Sequence, residues 1–317
     1  MARSIEQQVA DLRALDPAAP AALTKLRTVL RGANGFLIAA AAKIVEDRQI
    51  EALVGELAGA FARLCGDDAV KCDPGCRGKL AIGRALHGLD HWDDAVFVAG
   101  LSHVQLEGWG KDDTAAELRG LCGIAHAHFA RPDALDVLAG LLADAQRTTR
   151  LAAAQALGDA GRPDATALLR FKVLIGDDEP AVLSACFEAL FGLAREASYD
   201  FVVARLAEHD DRAEVAALAL GGARFAEAAQ PLIAWCTGAS SEQRHRIGYL
   251  ALALLRAEPA TDYLLDAVRS HGRRDAVEAA RALATFKDDR PLVERIRAAA
   301  GEQRDTAARA EIADLLA

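Results

Sequence analysis

Apolar positions recur at helical spacing along nearly the whole chain. The clearest stretch runs from Thr149 to Leu174: Leu151, Ala154 and Leu157 form one stripe, and Leu168, Leu169 and Val173 form another after a break at Gly158 to Arg162. Pro163 opens the second segment, where its missing N–H has no intrahelical partner to lose, and Asp164 faces the positive end of the helix dipole. The pattern predicts a helix, a short turn and a second helix. Arg-Pro-Asp-Ala, here Arg162 to Ala165, has already occurred 31 residues earlier as Arg131 to Ala134. With Leu157 as the register mark, the counterparts downstream are Leu190, Leu220, Leu254 and Leu283, in steps of 33, 30, 34 and 29 residues. One helical hairpin cannot bury its apolar stripe alone, so a period of this length predicts stacked hairpins. The expected fold is all-α, an α-solenoid.

Upstream the same spacing predicts further helices. Ser4 with Gln7 forms a capping box for a helix carrying Ile5, Val9 and Leu12, stopped at Asp16-Pro17. Leu23, Leu26 and Leu30 mark a second helix, and Phe36, Ala40 and Ile44 a third. Ile50, Leu53, Leu57, Phe61 and Leu64 give the strongest periodicity. Residues 66–78 lapse into a turn-rich connection containing Asp-Pro-Gly-Cys, after which Ile82, Leu86 and Leu89, then Phe97, Leu101 and Val104, restore the register. The step from Leu86 to its counterpart His126 is 40 residues, and the excess sits at residues 105–114, QLEGWGKDDT. Insertions in stacked repeats map to loops, often on a binding face. Residues 1–33 and 304–317 are expected to cap the array, the latter through Ala308, Ile312, Leu315 and Leu316. Residues 1–317 are thus read as one elongated domain.

The motif from Leu151 to Ala165, LAAAQALGDAGRPDA, resembles a HEAT repeat of the short bacterial type first associated with phycobilin lyases. The resemblance implies about seven or eight HEAT-like hairpins. It leaves function open, because such arrays serve as scaffolds, chaperones, chromophore lyases, DNA glycosylases and di-iron hydroxylases.

Composition narrows these classes. Hydrophobic residues make up 52% with 5% aromatic, a core of Ala, Leu and Val, and strand-like alternation is absent. No secretory signal or bilayer-length apolar run is visible, so a cytoplasmic protein without a membrane partner is expected. Six cysteines without dense regular spacing read as reduced thiols. A formal net charge of -9 and the mixed charge of the second helices make nucleic acid an unlikely partner. The paired His-Glu dipeptides of di-iron HEAT enzymes are missing; Glu208-His209 has the reverse order. No nucleophile arrangement, phosphate loop or paired-carboxylate site stands out, and neither a catalytic residue nor a cofactor is assigned.

Two constellations remain. Cys72, Cys76, His87 and His91 are spaced C-x3-C-x10-H-x3-H, with ligand types that suit zinc but a spacing that is not a standard one. His126 and His128 lie two apart on a helix and so point to different faces. The inserted loop offers the stronger candidates: Trp109 between two glycines, with His103, Gln105, Glu107, Asp112, Asp113 and Arg119 around it. Such a tryptophan is either an exposed anchor for a partner or a plug folded back onto the helices. The reading is a noncatalytic adaptor binding another protein on its concave face and inserted loop. An accessory subunit or lyase for a protein-bound chromophore is the alternative that the resemblance implies.

Overall fold

The computed structural model describes residues 4–15, 20–208, 210–238 and 241–317. The stop assigned to Asp16-Pro17 and the histidine of Glu208-His209 lie outside them. The chain divides into two compact units, Met1–Ala165 and Thr166–Ala317.

The first unit contains α1 (Ile5–Arg13), α2 (Pro20–Leu30), α3 (Gly35–Asp47), α4 (Val54–Leu64), α5 (Ala69–Cys72), α6 (Arg77–Gly88), α7 (Asp94–Leu101), a two-stranded hairpin of β1 (Leu106–Glu107) and β2 (Asp112–Asp113), α8 (Ala116–His128), α9 (Ala134–Leu141) and α10 (Arg147–Asp159). Helices α3, α6, α8 and α10 pack in succession as one row, and α2, α4 and α7 as another. Leu26, Leu30, Ile38, Val45, Leu57, Phe61, Leu86, Phe97 and Leu118 fill the space between them. The capping box is half realised: Ser4 accepts from the Gln7 N–H (3.2 Å), while the Gln7 amide turns to Asp11. In α3 the buried face is Ile38, Ala41, Ala42 and Val45, with Phe36 exposed. The run Phe36 to Ala42 is apolar all round, so periodicity alone could not orient it.

The second unit holds α11 (Ala165–Ile175), α12 (Pro180–Arg205), α13 (Asp211–Ala223), α14 (Ala229–Thr237), α15 (Glu242–Leu255), α16 (Glu258–Ser270), α17 (Arg273–Leu283), α18 (Arg290–Glu302) and α19 (Thr306–Leu315). Helix α12 is a hairpin without a loop, its two halves meeting at Ala194 (φ -152°, ψ 65°). One row runs α12, α13, α15, α17, α19 and the other α14, α16, α18. Gly221 lets α13 approach α15, since a Cβ there would collide with the Ala251 carbonyl oxygen. The fold is an all-α solenoid, as the periodicity predicts.

Three expectations need correcting. Leu254 is only half-buried, and Leu252 takes its place in the core with no exposed surface, so the register steps from Leu157 become 33, 30, 32 and 31 residues. Helix α7 ends at Leu101, leaving Val104 outside it and exposed. The inserted loop, where no strand signal was visible, is a β-hairpin. No helix among the described residues is long and apolar enough to cross a membrane.

Candidate functional site: a braced hairpin

The site is built from the connection between α4 and α6 upward. Asp73 and Lys79 are both completely buried and form an ion pair of 3.0 Å. Helix α6 begins after Cys76, which sits in the left-handed region (φ 55°) and offers no side-chain cap. Asp73 caps in its place: its Oδ1 accepts from the Gly78 N–H (2.7 Å) and its Oδ2 from the Lys79 N–H (3.1 Å). A carboxylate at a helix N-terminus satisfies orphan donors and favours the dipole. Lys79 Nζ also donates to the Leu64 carbonyl (3.1 Å), which ties α6 to the end of α4. Gly35 lies so close that a Cβ there would come within 2.8 Å of the Asp73 Cα.

The hairpin stands on this base. Gln105, buried, donates from Nε2 to the Asp73 carbonyl (2.8 Å) and to Glu107 Oε1 (2.6 Å). The same Glu107 oxygen accepts from the Gly75 N–H (2.8 Å) and the Thr114 hydroxyl (2.7 Å). Burial pushes the Glu107 carboxyl pKa up, but these hydrogen bonds and the Lys79 charge outweigh it and hold the carboxyl below the ordinary glutamate value. Leu106 pairs with Asp113 and Glu107 with Asp112 across the strands. Gly108 (φ 69°) and Lys111 (φ 52°) take the left-handed conformations that reverse the chain.

Arg119 closes the other side. Only 5% exposed, it grips Asp144 with Nε (2.7 Å) and Nη2 (2.9 Å), while Nη1 meets Asp113 Oδ2 (2.7 Å) and the His103 carbonyl (2.9 Å). Asp113 Oδ1 accepts in turn from the Gln105 and Ala115 N–H groups (3.1 and 3.0 Å). A fork-shaped guanidinium between two carboxylates fixes both in angle as well as distance.

The braced base presents an apolar crown. Trp109 is 103% exposed, and Val104 and Leu106 stand more than half out. Lys111 and Asp112 are exposed beside them. Of the residues picked from sequence, Trp109 and Asp112 therefore face outward. Gln105, Glu107, Asp113 and Arg119 spend their polar atoms inside the structure. His103 is half-buried, and its Nε2 has no partner among the described residues. Sequence reasoning missed Asp73, Lys79 and Asp144, whose bonds span 25 to 32 residues to Arg119 and Gln105 or lie under a turn. It placed Val104 in a helix.

The structure does not bring the four residues of the zinc-like spacing together. Cys76 and His87 lie at opposite ends of α6, about 16 Å apart at 1.5 Å per residue. Burial pushes the Cys76 thiol up to about 12, Cys72 is half-buried and His91 is exposed. His87 packs its ring on His128 at 4.7 Å. Among the described residues no group of three or more His, Cys, Asp or Glu could hold a metal ion. His126 and His128 do face apart: His126 is buried, bonded to the Cys122 carbonyl and set edge-on to Trp92 (4.8 Å), whereas His128 reaches Asp90 at the surface (2.9 Å).

Residues 111–190 match the family of HEAT repeats. No curated protein matches the chain. Among solved structures, the E. coli protein YibA is 14% identical, aligning 100% of this chain with 97% of its own at a TM-score of 0.38. The complex of CpcE and CpcF of phycocyanin lyase from Nostoc is 16% identical, aligning 71% of this chain with 94% of that one at a TM-score of 0.35. The HEAT-repeat match thus covers α8, α9, α10, α11 and the start of α12.

Proposed function

We infer that the chain is a noncatalytic adaptor that holds another protein through the hairpin 105–114 and the face of the stacked helices that the repeat pattern predicts to be concave. The observation that carries this reading is a fully exposed Trp109 on a hairpin whose base is locked by buried ion pairs. Tryptophan supplies a large apolar surface with few torsions to freeze, and a pre-organised loop loses little entropy on binding. Val104 and Leu106 widen the apolar contact, and Lys111 and Asp112 give it a polar edge.

The alternative, work on a protein-bound chromophore, has less support. Cys76, Cys122, Cys186 and Cys236 are buried, with thiols pushed upward by desolvation. Cavities of about 480, 260 and 550 Å³ are lined by neither cysteine nor histidine.

The test compares the unmodified chain with Trp109→Ala as immobilised baits in native lysate. A partner held by the first should be lost by the second, at least roughly tenfold in recovered amount, with the melting temperature unchanged. Equal recovery, or a large fall in melting temperature, would remove Trp109 from the interface.

A further inference from the structure

The second unit carries a cavity of about 480 Å³ between α15 and α17. Its floor is aliphatic, made by Ile247 and Leu250, both half-buried on α15, and Ala282 on α17. Two guanidinium groups line it. Arg281 is neutralised by Glu278 one turn away on the same helix. Arg246 is exposed and, among the described residues, has no hydrogen-bond or ion-pair partner. The cavity thus joins an aliphatic floor to one uncompensated positive charge, in a chain whose formal net charge is -9.

We propose that this cavity binds a small aliphatic carboxylate, with the chain laid on Ile247, Leu250 and Ala282 and the carboxylate on the Arg246 guanidinium. A planar guanidinium offers two parallel N–H groups that match a carboxylate, and its weak hydration lowers the cost of meeting one beside apolar surface. The volume falls in the range of small-molecule sites, roughly 300–1,000 Å³. Eight residues line it, against about 20–30 on each side of a standard protein interface, so a small ligand fits the feature better than a docked protein. The cavity shares no residue with the hairpin, and the two readings fail independently.

The experiment titrates the full chain with sodium dodecanoate below its micellar concentration, by calorimetry and by the methyl NMR signals of Ile247 and Leu250. One saturable site should appear, with both methyl signals shifting. Arg246→Ala should weaken it roughly tenfold or more and Arg246→Glu should abolish it, both variants melting like the unmodified chain because Arg246 is exposed and has no hydrogen-bond or ion-pair partner among the described residues. Dodecyltrimethylammonium, measured on the unmodified chain, should show no saturable binding. Equal affinity for the two amphiphiles, unchanged affinity of Arg246→Ala, or shifts elsewhere would overturn the proposal. Tighter binding at the same methyls by an apolar peptide carrying one glutamate would overturn the small-ligand assignment in favour of a protein segment.

Discussion

Asp73 connects more of the site than any exposed residue does. Its carboxylate caps α6 and pairs with Lys79, and its carbonyl holds Gln105. A buried ion pair gains little over a well-packed apolar pair, yet breaking it leaves an uncompensated charge. Asp73→Ala should therefore cost about 3–5 kcal/mol in urea unfolding of the first unit, whereas the double change Asp73→Leu with Lys79→Met should cost clearly less than that single change. A single variant near neutrality would show that water reaches Lys79. Legibility at this scale followed chemistry that is local. Trp109 between glycines could be singled out because its neighbours in sequence explain its exposure. In the sequence Arg119 and Gln105 look like contact residues because they are polar and near it, while the groups that absorb them, Asp144 and the Asp73 carbonyl, lie 25 and 32 residues away.

The hairpin shows what a single element can and cannot reveal. The 40-residue step located it, but strands of two residues are too short to show alternation, and pairing is set by the braces beneath. Glu107 is a brace whose carboxyl pKa is held down. Its folded pKa lies below the unfolded value, so its contribution is fully present above the ordinary glutamate pKa, about 4.3, and is lost as the pH falls through the lower folded value. The Gly75 and Thr114 hydrogen bonds should loosen in that acid window. The Gly75 amide proton resonance should follow the titration, with a midpoint below that of a free glutamate, and Glu107→Gln should flatten the curve. A midpoint at or above the ordinary value would mean that burial outweighs the three hydrogen bonds, and the hairpin would then be loosely held near pH 5.

At the scale of the whole chain, the repeat is clearer in the structure than in the sequence. Leu254 and Leu252 both sit in LALALL, and an apolar run of that kind gives periodicity no way to choose; burial of Leu252 evens the steps to 33, 30, 32 and 31. Regular steps matter energetically because each hairpin packs on its sequence neighbours, α13 on α15 and α15 on α17, so stability is close to a sum of local and nearest-neighbour contributions. A cavity opened in one repeat should then be felt nearby and fade along the row. Leu252→Ala should cost about 2–5 kcal/mol, with Leu254→Ala well below it, because only the first side chain is fully buried. Hydrogen exchange should show where that cost falls: Leu252→Ala should speed exchange in α13, α15 and α17 and leave α3 and α6 at their original rates. A uniform rise from α3 to α19 would mean that the chain opens as one cooperative body, and the nearest-neighbour account would fail. Confinement to the second unit would also keep Leu252 variants usable as controls for the hairpin, since a local loss there would leave Trp109 and its braces intact.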